Sequence, residues 1–422
     1  MDKDQIIIIG GGLIGLATAN ALLDRGEKVL VLERNAETAT AASFANAGML
    51  TPSQSTPWNS PSDIANILSG VGRKDSPMSV SFGTIPSYFF WGLRFMLNST
   101  PSKFERISKD IFSLAKYSKD LTVKIRNLEE FTYDESTDGT IKLFRDSERF
   151  EKSIALSNRI YAESNVIDVL NQKEVIELEP ALNKVRKGLI GGIHYKEDEI
   201  GDAYKFCKAL EGIIRNKGGR ILVNSNIKKI LLNKGKVNSV VTDRAVLQAK
   251  RVVICAGSWS PVLLKETGIR IPVKPVKGYS LTYNTAGIRN TPKLSVIDES
   301  IHIAITPYIN RIRVAGTAEF VGFNDEVHPK RVDYLNSKLN EVYPHIFSKV
   351  KDDEEAEMWF GFRPMSADGL PFVGESKVKG LYLNTGHGHL GWTLAMGSAD
   401  LLADQIVGAE TQIDSEPYQA NR

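Results

Sequence analysis

Gly10-Gly11-Gly12-Leu13-Ile14-Gly15 follows the run QIIIIG and opens the stretch LIGLATANALLDRG. Glycines at this spacing let a strand turn sharply into a helix and let backbone approach a pyrophosphate, and the third lets helix and strand pack closely. The helix start then offers unpaired N–H groups and a positive dipole end to phosphate. Glu33 ends the next apolar run, at the distance from the glycines where a carboxylate takes a ribose 2′-hydroxyl. A carboxylate there argues against a 2′-phosphate, so FAD or NAD is favoured over NADP. A second group lies in FGFRPMSADGLP, where Arg363 follows a glycine and two aromatics and could fork onto a carboxylate in a water-poor site, or tie loops together. His387 and His389 sit in the glycine-rich NTGHGHLGWT, a pair that could titrate near neutral pH. No carboxylate cluster accompanies them, so no metal site is expected.

These groups need a scaffold. QIIIIG suits a strand buried on both faces of a parallel sheet, and EKVLVLE suits its parallel neighbour. The intervening stretch has helical spacing, with Gly26 to close it. In SFANAGML, small residues in series imply close backbone approach to something flat or anionic. The aromatic stretch YFFWGLRFML is too short to cross a bilayer. A packed helix and a membrane-facing surface are its two readings, with Phe89, Phe90, Trp91, Phe95 and Met96 as the side chains concerned.

Residues 101–129 place Phe104, Ile107, Ile111, Leu114, Leu121, Ile125 and Leu128 on one helical stripe. FTYDESTDGTIKLFRD reads as a hairpin turning at Asp138-Gly139. DAYKFCKALEGIIRNKG is a helix, followed by the strand-like runs RILVNSNIKKILLN, KVNSVVTD and AKRVVICAG. Residues 269–325 are almost all strand-like, and HPKRVDYLNSKLNEVYP is a helix. The strand–glycine turn–helix grammar then returns at the end. AKRVVICAGSWS and the terminal loop both read as returns to the first sheet. A cofactor touched by several distant loops suits FAD better than NAD.

The chain has 422 residues, 42% apolar and 24% charged, with a net charge of +3. That length fits two connected domains. The charge is too small and too scattered for a nucleic-acid partner. Cys207 and Cys255 lack metal-ligand spacing and point to a reducing, cytosolic setting.

GGGLIGLATA, SFANAGM, PVKGYSLT, NRIRVAGTAEFVGFN, FGFRPMSADGLPFVG and NTGHGHLGWTLAMGSA together resemble the D-amino acid oxidase, glycine oxidase and sarcosine oxidase family of FAD-dependent oxidoreductases, and within it the bacterial D-amino acid dehydrogenases (small subunit). The resemblance implies an α/β fold, a Rossmann-like FAD-binding domain interleaved with a mixed-sheet α+β substrate domain. The first would take 1–80, 145–268 and 355–422, and the second 81–144 and 269–354. It places Gly10, Gly12, Leu13, Ile14, Gly15, Glu33 and Arg34 at the nucleotide, Ala42 and Ser43 near the pyrophosphate, and Ala47, Gly48 and Met49 along the flavin. It adds Ile227 near the adenine, then Ala256, Gly257 and Gly361, and His387, Gly388, Gly391, Trp392 and Thr393 in the terminal loop.

By the same resemblance Arg363 holds the substrate carboxylate, with Tyr279, His302 and His389 as further catalytic candidates. From the residues alone, Tyr279 and His302 are equally well core positions. The implied reaction is oxidative deamination of a D-amino acid such as D-alanine, with electrons leaving to a quinone or other acceptor. A quinone would call for peripheral contact with the cytoplasmic face of the inner membrane. A glycine-, sarcosine- or proline-type amine oxidase is the alternative, and a non-catalytic flavin-holding subunit a remote third. Two departures bear on specificity. His389 stands where glycine oxidase has arginine, and Thr306-Pro307-Tyr308 replaces the Thr-Arg of the usual dehydrogenase. No cysteine stands in the terminal loop to tether flavin, so FAD is expected to be non-covalent.

Overall fold

The computed structural model describes residues 4–422 apart from 61–63, 65, 66, 68, 69, 73–75, 162–165, 186, 187 and 353–355. QIIIIG forms β1 (Ile6–Ile9), with every side chain at most 3% exposed. Each such side chain contributes about 1.5–3 kcal/mol by burial. A helix, α1 (Leu13–Asp24), follows, and Gly26 at φ +78° ends it, as its position suggested. β2 (Val29–Leu32) then pairs in parallel with β1. Arg251–Ile254 lies on the other side of β1, and Leu381–Thr385 lies beyond it. Arg220–Leu222 and the antiparallel Phe372–Glu375 complete six strands.

Two helices stand before the second sheet. In α2 (Ile85–Leu97), Tyr88, Trp91 and Phe95 are buried, at spacings of three and four. Trp91 Nε1 donates to the Met365 carbonyl at 3.0 Å. Phe89, Phe90, Leu93, Met96 and Leu97 are exposed on the other side. The packed-helix reading therefore holds for one face, and the other face is left exposed. α3 (Pro101–Glu129) buries Ile107, Ile111, Leu114 and Ile125 as its stripe requires, but Leu128 is exposed in the last turn.

The second sheet has nine strands among the described residues. At one end of it, β3 (Val273–Asn284), β4 (Ile303–Tyr308), β5 (Arg311–Phe320) and β6 (Glu357–Ser366) run antiparallel in the order β6–β3–β5–β4, with β6 at the edge. α4 (Pro329–Val342) covers one face of it, where Leu335 and Leu339 join Tyr279, Leu281 and Val314 in a core. α5 (Gly391–Val407) returns to the first sheet and packs against α1 and α3.

Several expectations change. Residues 131–139 form no hairpin with Thr140–Phe144, which instead pairs with Gly191–Tyr195 and Ser295–Asp298. The acidic segment before Thr140 is held elsewhere, with Asp134 paired to Lys205 and Arg311. RILVNSNIKKILLN splits, with Arg220–Leu222 in the parallel sheet and Ile227–Asn233 in a separate three-stranded meander. The interleaving is also finer than the expected boundaries, one of which, residue 355, lies outside the described residues. Strands at 167–171, 191–195, 357–366 and 78–80 join the second sheet, while α3 joins the core of the first. Alternating half-buried strands can extend any antiparallel sheet that offers an edge, so their placement is decided by tertiary pairing.

Candidate functional site

One cavity of about 1100 Å³ is lined by both sheets and by the loops between them. Apart from Gly15, every sequence-predicted site residue lines it. Gly15 serves behind the wall: a Cβ there would stand 1.8 Å from the Gly10 carbonyl. At Gly10, with φ +112°, a Cβ would stand 2.5 Å from the Cys255 carbonyl. Glu33 is buried and accepts from the N–H of Gly11 (2.7 Å) and of Asn35 (2.8 Å), one bond to each carboxylate oxygen. Each oxygen keeps a lone pair for a hydroxyl. Ser43 takes the Leu13 N–H in the first turn of α1, at 3.1 Å. Arg34 stacks over Trp259 at 3.8 Å, and burial lowers its pKa. The Cys255 thiol is pushed up to about 12 by burial, which makes it inert.

The SFANAGML loop owes its course to donors from the second sheet. Ser280 Oγ donates to the Ala45 carbonyl at 2.6 Å, Arg313 Nη1 to that of Asn46 at 3.1 Å, and Thr306 Oγ1 to that of Ala47 at 2.6 Å. Gly48 has φ +69°, and a Cβ on it would stand 1.7 Å from the Tyr308 hydroxyl. Asn46 Oδ1 accepts the Gly48 N–H at 2.9 Å. Thr393 Oγ1 accepts from the Thr51 N–H at 3.1 Å, joining the loop to the start of α5. Sequence reasoning misses Ser280 and Arg313, and it reads Thr306 only as a departure bearing on specificity, not as a support of this loop. Their signal is a polar side chain on alternate positions of otherwise apolar strands.

At the far wall Arg363 extends from β6 across Gly278 of β3. A Cβ on Gly278 would lie 2.3–2.4 Å from the guanidinium, so only glycine fits. Arg363 Nη1 donates to the Thr317 carbonyl at 2.8 Å, and the guanidinium lies over Trp58 at 5.5 Å. Among the described residues no carboxylate comes within ion-pair distance of it. Burial lowers its pKa to about 10, so it stays charged at neutral pH. His389 stacks on Trp58 at 4.8 Å. Burial, and then the charge on Arg363, push His389 down to about 3. His387 is likewise pushed to about 3 by burial. The expectation that this pair titrates near neutrality therefore fails; both are neutral.

Tyr279 borders the cavity, but its hydroxyl donates to Glu319 at 2.7 Å and its ring packs in the core under α4. Glu319 in turn pairs with Arg331 of α4. The pleat sends Tyr279 to the opposite face from Gly278 and Ser280, so its hydroxyl is not offered to a ligand. His302 lines the cavity from the turn before β4, at φ +49°.

Residues 5–405 match the family model described as FAD dependent oxidoreductase (DAO). The chain belongs to this family. It is 35% identical over 418 residues to a D-amino acid dehydrogenase of Rhizobium johnstonii, covering 99% of both chains. It is 36% identical over 411 residues to a D-amino acid dehydrogenase of Vibrio vulnificus, covering 97% of both. In fold it is similar to glycine oxidase from Bacillus cereus (TM-score 0.76, 24% identity, covering 100% of this chain and 99% of that one). It is also similar to L-proline dehydrogenase from P. horikoshii (TM-score 0.74, 18% identity, covering 100% and 98%).

The residues present fit FAD, the cofactor of this family. Asn384 Oδ1, His387 Nδ1 and Trp392 Nε1 line the cavity, are buried, and have no partner among the described residues. Buried polar atoms are nearly always satisfied, and a bound cofactor with both donor and acceptor atoms suits this set. Ser398 Oγ donates to the Ala395 carbonyl and so accepts from His387 Nε2 (2.9 Å), which leaves Nδ1 as an acceptor. α5 begins at Gly391 without a side-chain cap, so its first N–H groups add positive potential at the same place.

Proposed function

We propose that the protein oxidatively deaminates a D-amino acid, D-alanine-like in size, to a 2-oxo acid and ammonia, and passes the electrons to a quinone or another acceptor. The observation that carries this is Arg363, a half-buried and desolvated guanidinium with no carboxylate partner among the described residues, facing the cofactor cavity. An uncompensated desolvated cation is costly, and an amino-acid carboxylate would complete it. The relatives at about a third identity are dehydrogenases of D-amino acids, which supports the chirality.

Arg363 binds the carboxylate bidentately, with Trp58 and His389 as the wall beside it. The neutral His389 adds no second cation, so one carboxylate is matched by one charge. FAD, when bound, would supply the acceptor for the Cα hydride. The substrate ammonium first gives up a proton to solvent, and the freed nitrogen lone pair forms the C=N bond as the hydride leaves. Water then releases ammonia. The chain's part is orientation, which contributes about 7–11 kcal/mol in well-aligned systems. No cysteine stands in the terminal loop and both cysteines are free and buried, which supports a cofactor held without a cysteinyl bond.

The acceptor reading rests on α2, whose outward face carries Phe89, Phe90, Leu93, Met96 and Leu97, with Phe82 beside it. No helix among the described residues is long and apolar enough to cross a membrane. This face instead lies on the bilayer surface, where a quinone is within reach. A panel of D- and L-amino acids, glycine, sarcosine and proline, run with air or with a dye acceptor, tests the reading. Dye-dependent turnover of small D-amino acids is expected. Preference for glycine, sarcosine or proline, or peroxide formed at the rate of turnover, would replace it. Co-sedimentation with lipid vesicles, lost in Phe89→Ser/Phe90→Ser, tests the membrane contact.

A further inference from the structure

Thr317 has a backbone at odds with its residue type. Its φ is +63°, a left-handed value that a β-branched residue adopts only when its surroundings impose it. The register shows what imposes it. Lys277 of β3 faces Glu319, whereas Tyr279 faces Gly316. Two steps on β3 are therefore matched by three on β5, a bulge that holds Thr317 and lies opposite Gly278. That is the glycine over which the Arg363 guanidinium lies. The bulge turns the Thr317 carbonyl onto Arg363 Nη1 at 2.8 Å.

The side chain is as unusual as the backbone. Thr317 is 5% exposed, it lines the cavity, and its hydroxyl has no hydrogen-bond partner among the described residues. A buried threonine ordinarily returns its hydroxyl to a nearby carbonyl, as Thr122 and Thr267 do here. A buried hydroxyl without a partner calls for one. Its Oγ1 is enclosed, so a turn about χ1 is what brings it to a ligand in the cavity.

We propose that Thr317 is a second anchor for the substrate carboxylate: its carbonyl sets the guanidinium, and its hydroxyl donates to the carboxylate that the guanidinium receives. This rests on Arg363 as carboxylate receptor. A carboxylate rather than an amino group is the better partner, because the neighbouring cation recruits an anion to this spot and the hydroxyl is a donor.

The test uses the FAD-loaded enzyme, with propionate, a carboxylate without an amino group, titrated against the flavin absorbance. Thr317→Val should lower both kcat/KM and propionate affinity by about ten- to hundredfold, the scale of a hydrogen bond to a charged group. Thr317→Ser should stay within about threefold of wild type, since it retains the donor. Thr317→Gly suits the backbone and should hold its melting temperature while losing the same factor, so a poorly folding valine variant still leaves a decision. Unchanged propionate affinity in the valine and glycine variants overturns the proposal, even if turnover falls. Arg363→Ala is the control. If it too binds propionate like wild type, Arg363 is not the carboxylate receptor; if it alone loses affinity, only the Thr317 role falls.

Discussion

On the proposed reading, the nucleotide end and the substrate end of the cavity both receive an anion, and they do so by opposite means. At the nucleotide end the donors are backbone N–H groups at the start of α1, and the nearby guanidinium of Arg34 is turned onto Trp259. At the substrate end the charged donor is the half-buried guanidinium of Arg363, with a backbone carbonyl behind it and no anionic partner among the described residues. Distributed backbone donors cost little to leave without a ligand. A desolvated lone cation costs more, and a bound carboxylate would offset part of that cost.

The comparison breaks first at Arg363. Arg363→Ala would leave the substrate carboxylate unpaired in a water-poor site, a loss of about 3–5 kcal/mol. A fall in kcat/KM of about two to four orders of magnitude is expected, with flavin content and melting temperature little changed. Amines lacking the carboxylate should lose far less. A variant that cannot hold flavin would make Arg363 a structural tie. At the other end the effect should be smaller and mixed. Glu33→Ala removes a ribose acceptor, weakening FAD binding by about 1.5–3 kcal/mol. It also frees the N–H groups of Gly11 and Asn35 that Glu33 now satisfies. Isothermal titration of FAD and the melting temperature without FAD should therefore both change. An unaltered FAD affinity would remove Glu33 from the ribose.

The two ends also differ in how far they can be read from sequence. Gly10, Gly15 and Glu33 are legible because a backbone-built site needs fixed spacing along one strand–turn–helix, so local order carries the whole arrangement. The substrate wall is spread over β3, β5, β6 and the Trp58 loop. Arg363 stands out by its aromatic and glycine neighbours. Tyr279 turns out to lie on the other face, because two adjacent positions of a strand are equally eligible until the pleat is fixed. Thr317 cannot be seen at all, since a bulge is a property of the pairing rather than of GTAEF itself. His387 and His389 read as near-neutral titrating groups because burial of a glycine-rich loop is not written in its composition.

The buried histidines give a third test, weaker than the first two. The pKa of His387 is about 3 in the fold, against an ordinary histidine value of 6.5. The unfolded chain thus binds the proton more readily, so stability is full above about 6.5 and is lost as pH falls toward 3. At about pH 5 the loss is about 2 kcal/mol. His387→Gln should flatten the pH dependence of flavin release between about pH 6.5 and 5, measured by flavin fluorescence against wild type. Identical profiles would mean that His387 does not limit acid release.

The smallest effect is expected at the seam of the two ends. Asp198 is fully buried and accepts from Ser53, just after the flavin loop, and from Thr140 of the second sheet. Burial raises its pKa from 3.8 to about 6, against the pull of those hydrogen bonds. Here the sign is reversed. The folded state holds the proton more tightly, so stability falls as pH rises from 3.8 through about 6, and above that the ionised carboxylate burdens the fold. Asp198→Asn removes the charge and keeps the shape, but its amide sets one N–H against a donor, which offsets part of the gain. The net expectation is a gain of about 1 kcal/mol at about pH 8 and none at about pH 5. Urea midpoints of both proteins at the two pH values decide it. A variant less stable at both would show that the Ser53 and Thr140 bonds to the carboxylate outweigh its desolvation, and that the seam is held by charge after all.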